Sequence, residues 1–459
     1  MAGKRWVPFA KGGAYSPYYA DVHLVVNWER DGEEIKDWIC TRYEYLDGKW
    51  EWVAKNTDFY FRPGLTWPRR TQSGLNMRVC PTSCIFADKG PMAFLPPEHL
   101  MPVLGLVNSR AFEGLLSLLV AFGSFEVGAV QRTPVPTHFS ADIERPATTC
   151  FLLRRSVDTA DETTHVFTLP ALLQAGGPSL AERFAAWSRR KQDMDRGFAE
   201  HQRQVDDLAF ELYGFTEEDR KAVEEELRRS PEQNQEDTGD DEEDGAEVAA
   251  APADIAAEVR ALLSWCVGVA FGRFDVRLAT GERPVPELGD PFDPLPIYSP
   301  GMLSEDPPPQ GYPIAVDRDG ILVDDEFSED DVVRKVREVL HLLWEDRAEA
   351  IEREASDILG VRDLRDYFRR PGKGGFFEDH IRRYSKSRRK APIYWLLQSA
   401  RRNYAVWLYY PRLDRDILFK AVEHYVRPRI QLQENLLAEV RKGRDAAGAG
   451  AERRRLDRE

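Results

Sequence analysis

The spacing of hydrophobic positions changes along the chain. In residues 1–170 it is short and alternating: His23–Trp28, Lys49–Val53 and Phe59–Phe61 predict strands. Asp47-Gly48 predicts a tight hairpin turn between Tyr43–Leu46 and the strand that follows. Leu100–Val120 reads as a helix, with Leu104, Val107, Phe112, Leu115, Leu116 and Leu119 at helical spacing. Pro134 and Pro136 predict the end of a strand, with a second β-rich piece to Leu169. Residues 178–230 switch to a helical period through Phe184, Trp187, Met194, Phe198, Val205, Leu208 and Leu212. Ser179 with Glu182 predicts a capping box there, and Thr216 with Asp219 starts a second helix reaching about Arg229.

Residues 231–253 run through EQNQEDTGDDEEDGAE into small residues, a composition that predicts a disordered acidic linker. Residues 254–459 read as mainly helical around a Pro-rich loop at 284–313. Ser328 with Asp331 predicts the start of a helix bearing Val332, Val336, Val339, Leu340, Leu343 and Trp344 on one face. Asp319-Gly320 suggests a small hairpin, Ile393–Leu397 a buried strand, and the tail after Arg427 a charged helix fraying past Gly443. The expected fold is α+β: a mixed α/β domain over 1–170, long amphipathic helices over 171–230, the linker 231–253, and a mainly helical domain over 254–459.

Length and charge bound the function. A chain of 459 residues accommodates about two to four domains. The net charge of −15 argues against simple coating of nucleic acid. Its distribution softens that conclusion: 23 basic against 23 acidic residues in 1–200, 14 against 39 in 201–350, and 26 against 16 in 351–459. DNA contact through either end is compatible with that pattern. The first residues lack the apolar core of a signal peptide, and the longest apolar candidate, Leu115–Gly128, is broken by Ser117, Gly123, Ser124 and Glu126. Five scattered cysteines, at 40, 80, 84, 150 and 266, fit a reducing cytoplasm.

Several segments carry candidate chemistry. Lys11-Gly12-Gly13 sits among the aromatics Trp6, Phe9, Tyr15, Tyr18 and Tyr19, and a short strand ends at Asn27-Trp28. Glycines let a backbone approach phosphate closely, and rings pack on sugars or bases. The alternative is a Gly-rich hairpin over an aromatic core. In Arg62–Arg78, the arginines 62, 69, 70 and 78 are forks for guanine or phosphate, and Gln72 and Asn76 are the residue types that read adenine. Thr66, Thr71 and Ser73 offer hydroxyls to phosphates, and Trp67 before Pro68 a rigid platform; the alternative is an ordinary polar loop. A third segment places Arg382, Arg383, Lys386, Arg388, Arg389 and Lys390 within nine residues, as a phosphate track or a solvated face. Cys80 and Cys84 have a spacing seen in zinc sites, with only Cys40 and His99 as supplements. Glu34-x-Lys36 with Asp21 has the skeleton of a metal-dependent nuclease. Asp317–Glu326 is superficially calcium-like, but its spacing favours a turn.

A collinear series of segments resembles the target-recognition half of PglX-type adenine-specific DNA methyltransferases of BREX phage-defence systems, with Eco57I-type and DISARM methyltransferases as relatives. The segments are the opening RWVPFAKGGAYSPYYADVHLVVNW, then VVNWERDGEEIK (25–36), FYFRPGLTWPRRTQSG (59–74), LGLVNSR (104–110), FEVGAVQRTPVP (125–136), FGRFDVRLATG (271–281), GILVDD (320–325), DILGVRDLRDYFRRPG (357–372) and RYSKSRRKAPIYWLL (383–397). The family's Asn-Pro-Pro-aromatic motif, which clamps a flipped adenine, is absent, as is a Gly-rich turn suited to S-adenosylmethionine. The resemblance implies a carboxy-terminal half that begins at its own Met1 and reads double-stranded DNA. S-adenosylmethionine would sit in a catalytic methyltransferase subunit or a missing amino-terminal half. Other proteins of the defence system are possible partners, and no membrane is implied. The rival readings are a metal-dependent nuclease subunit and a protein-interaction subunit of the same complex.

Overall fold

The structure, a computed structural model, describes residues 5–71, 73–120, 124–137, 141–229, 254–316, 318–386, 389–446 and 455. The acidic segment 231–253, Gln72, Asp317 and Arg388 lie outside them, as do the side chains of Lys386 and Arg389. The chain divides into two compact units: residues 1–265, 277–304 and 386–389, and residues 266–276, 305–385 and 390–459.

The first unit pairs small sheets with a helical core. β1 (Trp6–Ala10) pairs antiparallel with β2 (Val25–Asn27), and Phe9 and Ala10 pair in parallel with Ile85 and Phe86 of β5. Between them run α1 (Glu29–Arg42), β3 (Gly64–Thr66) and β4 (Arg78–Cys80); β3 pairs antiparallel with β4 and with β6 (Met92–Ala93). Next come α2 (Pro97–Val107), α3 (Arg110–Ser117), α4 (Val127–Arg132), α5 (Glu144–Asp158), α6 (Ala171–Gln174), α7 (Leu180–Tyr213), α8 (Glu217–Arg229), α9 (Ile255–Ala270, shared between the units) and α10 (Arg277–Thr280). α2 is buried over Leu100–Val107, and with α3, α5 and α7 it builds a core around Leu104, Phe112, Cys150, Phe151, Val205 and Phe210. α7 has the Ser179–Glu182 capping box and ends on Gly214 in the left-handed conformation (φ 68°).

The second unit is a three-stranded antiparallel sheet with helices. Its elements are β7 (Ile321–Val323), α11 (Val332–Trp344), α12 (Ala348–Leu359), α13 (Leu364–Arg369), α14 (Phe376–Arg383), the short β8 (Ser385–Lys386) and β9 (Arg389–Lys390), each divided between the units, β10 (Tyr394–Gln398), β11 (Ala405–Tyr409), α15 (Ile417–Lys420) and α16 (Arg427–Ala446). β11 is the fully buried middle strand, between β10 and β7. The α+β class therefore holds, with strands confined to small sheets.

Several local expectations are corrected. Tyr43–Leu46 and Lys49–Val53 form no strands; they close short 3-10 turns at Glu44–Leu46 and Trp50–Trp52. With no neighbouring strand to accept their hydrogen bonds, backbone amides bond locally, as Leu46 N–H does to Tyr43 O (2.9 Å) and Val53 N–H to Trp50 O (2.9 Å). Phe59–Phe61 is likewise no strand: Phe59 closes a 3-10 turn, Thr57–Phe59. The strand expected to end at Pro134 and Pro136 is replaced by α4, and the β-rich piece expected from there to Leu169 contains α5 instead. Ala147, Cys150 and Phe151 recur at helical spacing on the buried face of α5. Leu100–Val120 is two helices because the Asn108 side chain turns aside: Oδ1 accepts from Met77 N–H (3.0 Å), and Nδ2 donates to the carbonyls of Met77 and Leu104 (both 2.9 Å). Asp331, not Ser328, caps α11. Gly320 leads into β7, which pairs with β11 rather than closing a local hairpin. Ile393–Leu397 is only partly buried: Tyr394 faces inward, while Trp395 and Leu397 are exposed.

Candidate nucleic-acid interface

Three turns of the first unit converge. Lys11–Gly13 follows β1, Pro68–Arg70 follows β3, and Asp88–Gly90 joins β5 to β6. The approach is backbone to backbone. A Cβ on Gly12 would lie 2.9 Å from the Lys89 carbonyl oxygen, and one on Gly90 would lie 2.9 Å from the Gly12 nitrogen. Gly12 (φ +36°) and Gly13 (φ +129°) also take conformations that side chains resist. The Arg69 amide donates to the Lys89 carbonyl at 3.3 Å. Lys11, Arg69, Arg70 and Lys89 are thereby gathered on adjoining turns. Arg70 and Lys89 are exposed, and Lys11 and Arg69 half-buried. Lys89 was missed in the sequence; the signal was Asp88-Lys89-Gly90, a basic glycine turn like Lys11-Gly12-Gly13.

The segment Arg62–Arg78 is a hairpin loop pinned at both ends. Thr66 and Trp67 are buried, and the Trp67 indole donates to the Phe125 carbonyl at 2.9 Å. Leu75, Asn76, Met77 and Arg78 are buried on the return. Trp67 is thus a core anchor in this structure, and the accessible residues are Arg70 and Ser73, with Thr71 half-buried. Thr71 Oγ1 accepts from the Ser73 amide at 3.2 Å, which tightens the tip. Arg62 is exposed, its guanidinium 5.0 Å from the Phe59 ring centroid.

Charge is partly balanced inside the junction. Arg69 bridges Glu126 (2.7 Å) and Asp88 (2.5 Å), and the Glu126 hydrogen bond raises its already high pKa. Arg78 lies beneath Gly13, with Nη1 donating to the Ala14 carbonyl at 3.3 Å, and burial pulls its pKa down to about 10. At the other side of the loop, Glu113 presses on Gly74, where a Cβ would meet its Oε1 at 2.0 Å. Burial pushes the Glu113 carboxyl up to about 7, against the nearby Arg110.

The remaining sequence candidates lie in varied settings. Tyr15 is exposed, whereas Tyr18 is fully buried and its hydroxyl donates to Gln202 at 2.8 Å. Asn27 donates to Glu34, and Trp28 is buried against Gly32. In the second unit Arg382 pairs with Asp379, and Lys390 is exposed. The nuclease-like residues have separate partners: Asp21 holds His165 (3.0 Å), Glu34 accepts from Asn27, and Lys36 pairs with Asp31 (2.6 Å). Cys80 and Cys84 are buried free thiols, and among the described residues no group of three His, Cys, Asp or Glu side chains is placed to hold a metal ion. Among the same residues, no helix is long and apolar enough to cross a membrane.

Comparison with known proteins bears on this geometry. No family model matches the chain. It is 26% identical over 452 residues to the adenine-specific methyltransferase PglX of Lacticaseibacillus casei (strain Zhang), covering 96% of this chain and 34% of that protein. It is 24% identical over 484 residues to the adenine-specific methyltransferase BrxX of Escherichia coli O9:H4 (strain HS), covering 99% of this chain and 36% of that protein. The chain therefore spans about a third of the length of the curated relatives it matches, and homology to adenine-specific methyltransferases runs along nearly all of it.

Proposed function

We propose that this chain is the DNA-recognition portion of a site-specific adenine-N6 methyltransferase of a phage-defence or restriction system. The observation that carries the proposal is similarity to two adenine-specific methyltransferases along nearly the whole chain. The sequence has no Asn-Pro-Pro-aromatic motif, so methyl transfer from S-adenosylmethionine is assigned to a catalytic portion that this chain would serve.

The three-turn junction is the part suited to DNA. Cations on backbone turns neutralise phosphates and fix the register of the duplex, while exposed tip residues reach base edges. In this reading Lys11, Lys89 and Arg69 take phosphates, and Arg70 with Thr71 and Ser73 approaches the groove. Arg69 has to leave Asp88 or Glu126 to do so. A bound phosphate would replace a carboxylate, so the exchange trades one charge-assisted hydrogen bond for another.

The test is reconstitution. The chain, combined with the catalytic portion of a PglX-type enzyme, should support methyl transfer to adenine in a preferred duplex. The chain alone should transfer none. Replacing Arg70 should relax the choice of site, and replacing Lys89 should weaken binding evenly across sequences. Methyl transfer by the isolated chain, or transfer indifferent to the chain's presence, would refute the assignment.

A further inference from the structure

A cavity of about 410 Å³ lies in the first unit, between Tyr19–Val22 and the strap formed by residues 287–296. The proposed function does not use it. Its size falls in the range of small-molecule sites, and its lining is predominantly apolar.

The strap is held in place rather than draped. Arg155 Nη1 donates to the Gly289 carbonyl at 2.6 Å, Thr82 N–H donates to the Phe292 carbonyl at 3.2 Å, and Leu295 N–H donates to Ser83 Oγ at 2.9 Å. These three bonds keep the strap from collapsing inward. On the facing wall Tyr19 and Phe151 meet edge to face, with centroids 5.6 Å apart at 85°. Prolines 291 and 294 line the same space. Rigid flat walls of this kind suit a planar ligand.

One polar feature gives the cavity direction. His165 Nδ1 lies 3.0 Å from Asp21 Oδ1, and the same oxygen accepts the His165 amide at 3.2 Å. With Nδ1 engaged by a carboxylate, Nε2 is the ring atom left to meet a ligand. The charge balance excludes anions. Asp21, Glu287, Asp290 and Asp293 line the cavity against Arg155 and His165 alone, and the Arg155 guanidinium already serves Gly289 and the Phe151 face.

We infer that this cavity binds an uncharged planar heterocycle of nucleobase size, stacked on its aromatic and proline walls and hydrogen-bonded at its edge by His165. Two sources share that chemistry: a free nucleobase or nucleoside, and an unpaired base of bound DNA. The second rests on the DNA reading above.

The probe is 2-aminopurine riboside, whose fluorescence is quenched by stacking, titrated against the full chain. Saturable quenching is expected. Asp21→Asn, which preserves shape but loosens His165, and Ala20→Phe, which fills the cavity, should each weaken it about tenfold or more, the scale of a lost hydrogen bond with stacking. No saturable quenching, or affinity unchanged in both folded variants, overturns the proposal. If Ala20→Phe fails to fold, Asp21→Asn alone decides. Displacement of the bound riboside by a duplex carrying one unpaired adenine, but not by a fully paired duplex, assigns the DNA source. Displacement by adenosine alone assigns the free ligand, and the site then stands even if duplex binding, measured separately, fails.

Discussion

The two units use the same charged residues in opposite ways. In the first, apolar helices fill the core and the cations Arg70 and Lys89 ride on turns at the surface. In the second, charge is drawn inside. Asp324 and Asp331, each with a side chain only 2% exposed, are gripped by Arg365 and Arg369 from α13, and Asp325 is held by Arg429 of α16 at 2.9 Å. Asp331 also caps α11, accepting from the Arg334 amide at 3.0 Å. One set of arginines is spent on architecture, whereas Arg70 of the first unit is carried at the surface. Counting arginines along the sequence does not separate the two, because the difference lies in where the carboxylates end up.

The largest expected effect breaks the buried ion cluster. Asp331→Ala leaves Arg365 short of a carboxylate and removes a cap, so the second unit should lose about 3–5 kcal/mol in urea denaturation. Arg70→Ala in the first unit should change stability by no more than about 0.5 kcal/mol. Equal losses would show that the contrast between the units is false.

Next in size is the pH response, which the two units should show with opposite sign. Glu113 has a folded pKa raised to about 7, so its protonated form favours the fold; stability from this group falls as pH rises through 7 and returns on acidification. His380 is the reverse. Its Nε2 accepts the amides of Ile393 (2.9 Å) and Tyr394 (3.1 Å), and burial, helped by Arg273 and Arg383, lowers its pKa to about 3. The unfolded chain takes up a proton below about 6.5, so the second unit weakens as pH falls from there. Between pH 7 and 5 each effect is on the order of 2 kcal/mol. Hydrogen exchange resolved by unit should show the first unit tightening and the second loosening. Glu113→Gln should abolish only the first change, and His380→Gln only the second.

Two smaller effects sharpen the account of the junction. Gly12→Ala should push the Lys11 turn away from Lys89, against a 2.9 Å backbone contact and a positive φ, and weaken duplex binding while the helical core stays intact. Glu126→Gln should release Arg69 and strengthen duplex binding a few-fold at low salt, an advantage that fades as salt is added. Weaker binding in Glu126→Gln would mean that the ion pair positions the loop rather than restraining it.

How much of this was legible in the sequence follows from how local each signal is. The capping box at Ser179 and the long face of α7 are encoded within a few residues of one another, and both appear as read. The aromatic run Tyr43–Val53 alternates like a strand, but a strand also needs a neighbour, and pairing is not written in the run itself. Trp67 looked like a platform and is a core anchor because Phe125, 58 residues on, supplies a carbonyl for its indole. Lys89 went unnoticed because its importance comes from meeting Gly12 across the sheet. The half-buried arginines of α13 carry no local mark of their partners for the same reason: Asp324 lies 41 residues before Arg365.

The measurement that tests the central claim most directly is hydrogen exchange of the chain, reconstituted with a PglX-type catalytic portion, with and without a preferred duplex. The account predicts new protection at residues 11–13, 68–71 and 88–90, reduced by added salt and absent in an Arg70→Ala, Lys89→Ala double variant. Firm duplex binding with those three turns unprotected, and protection elsewhere in the chain, would contradict it.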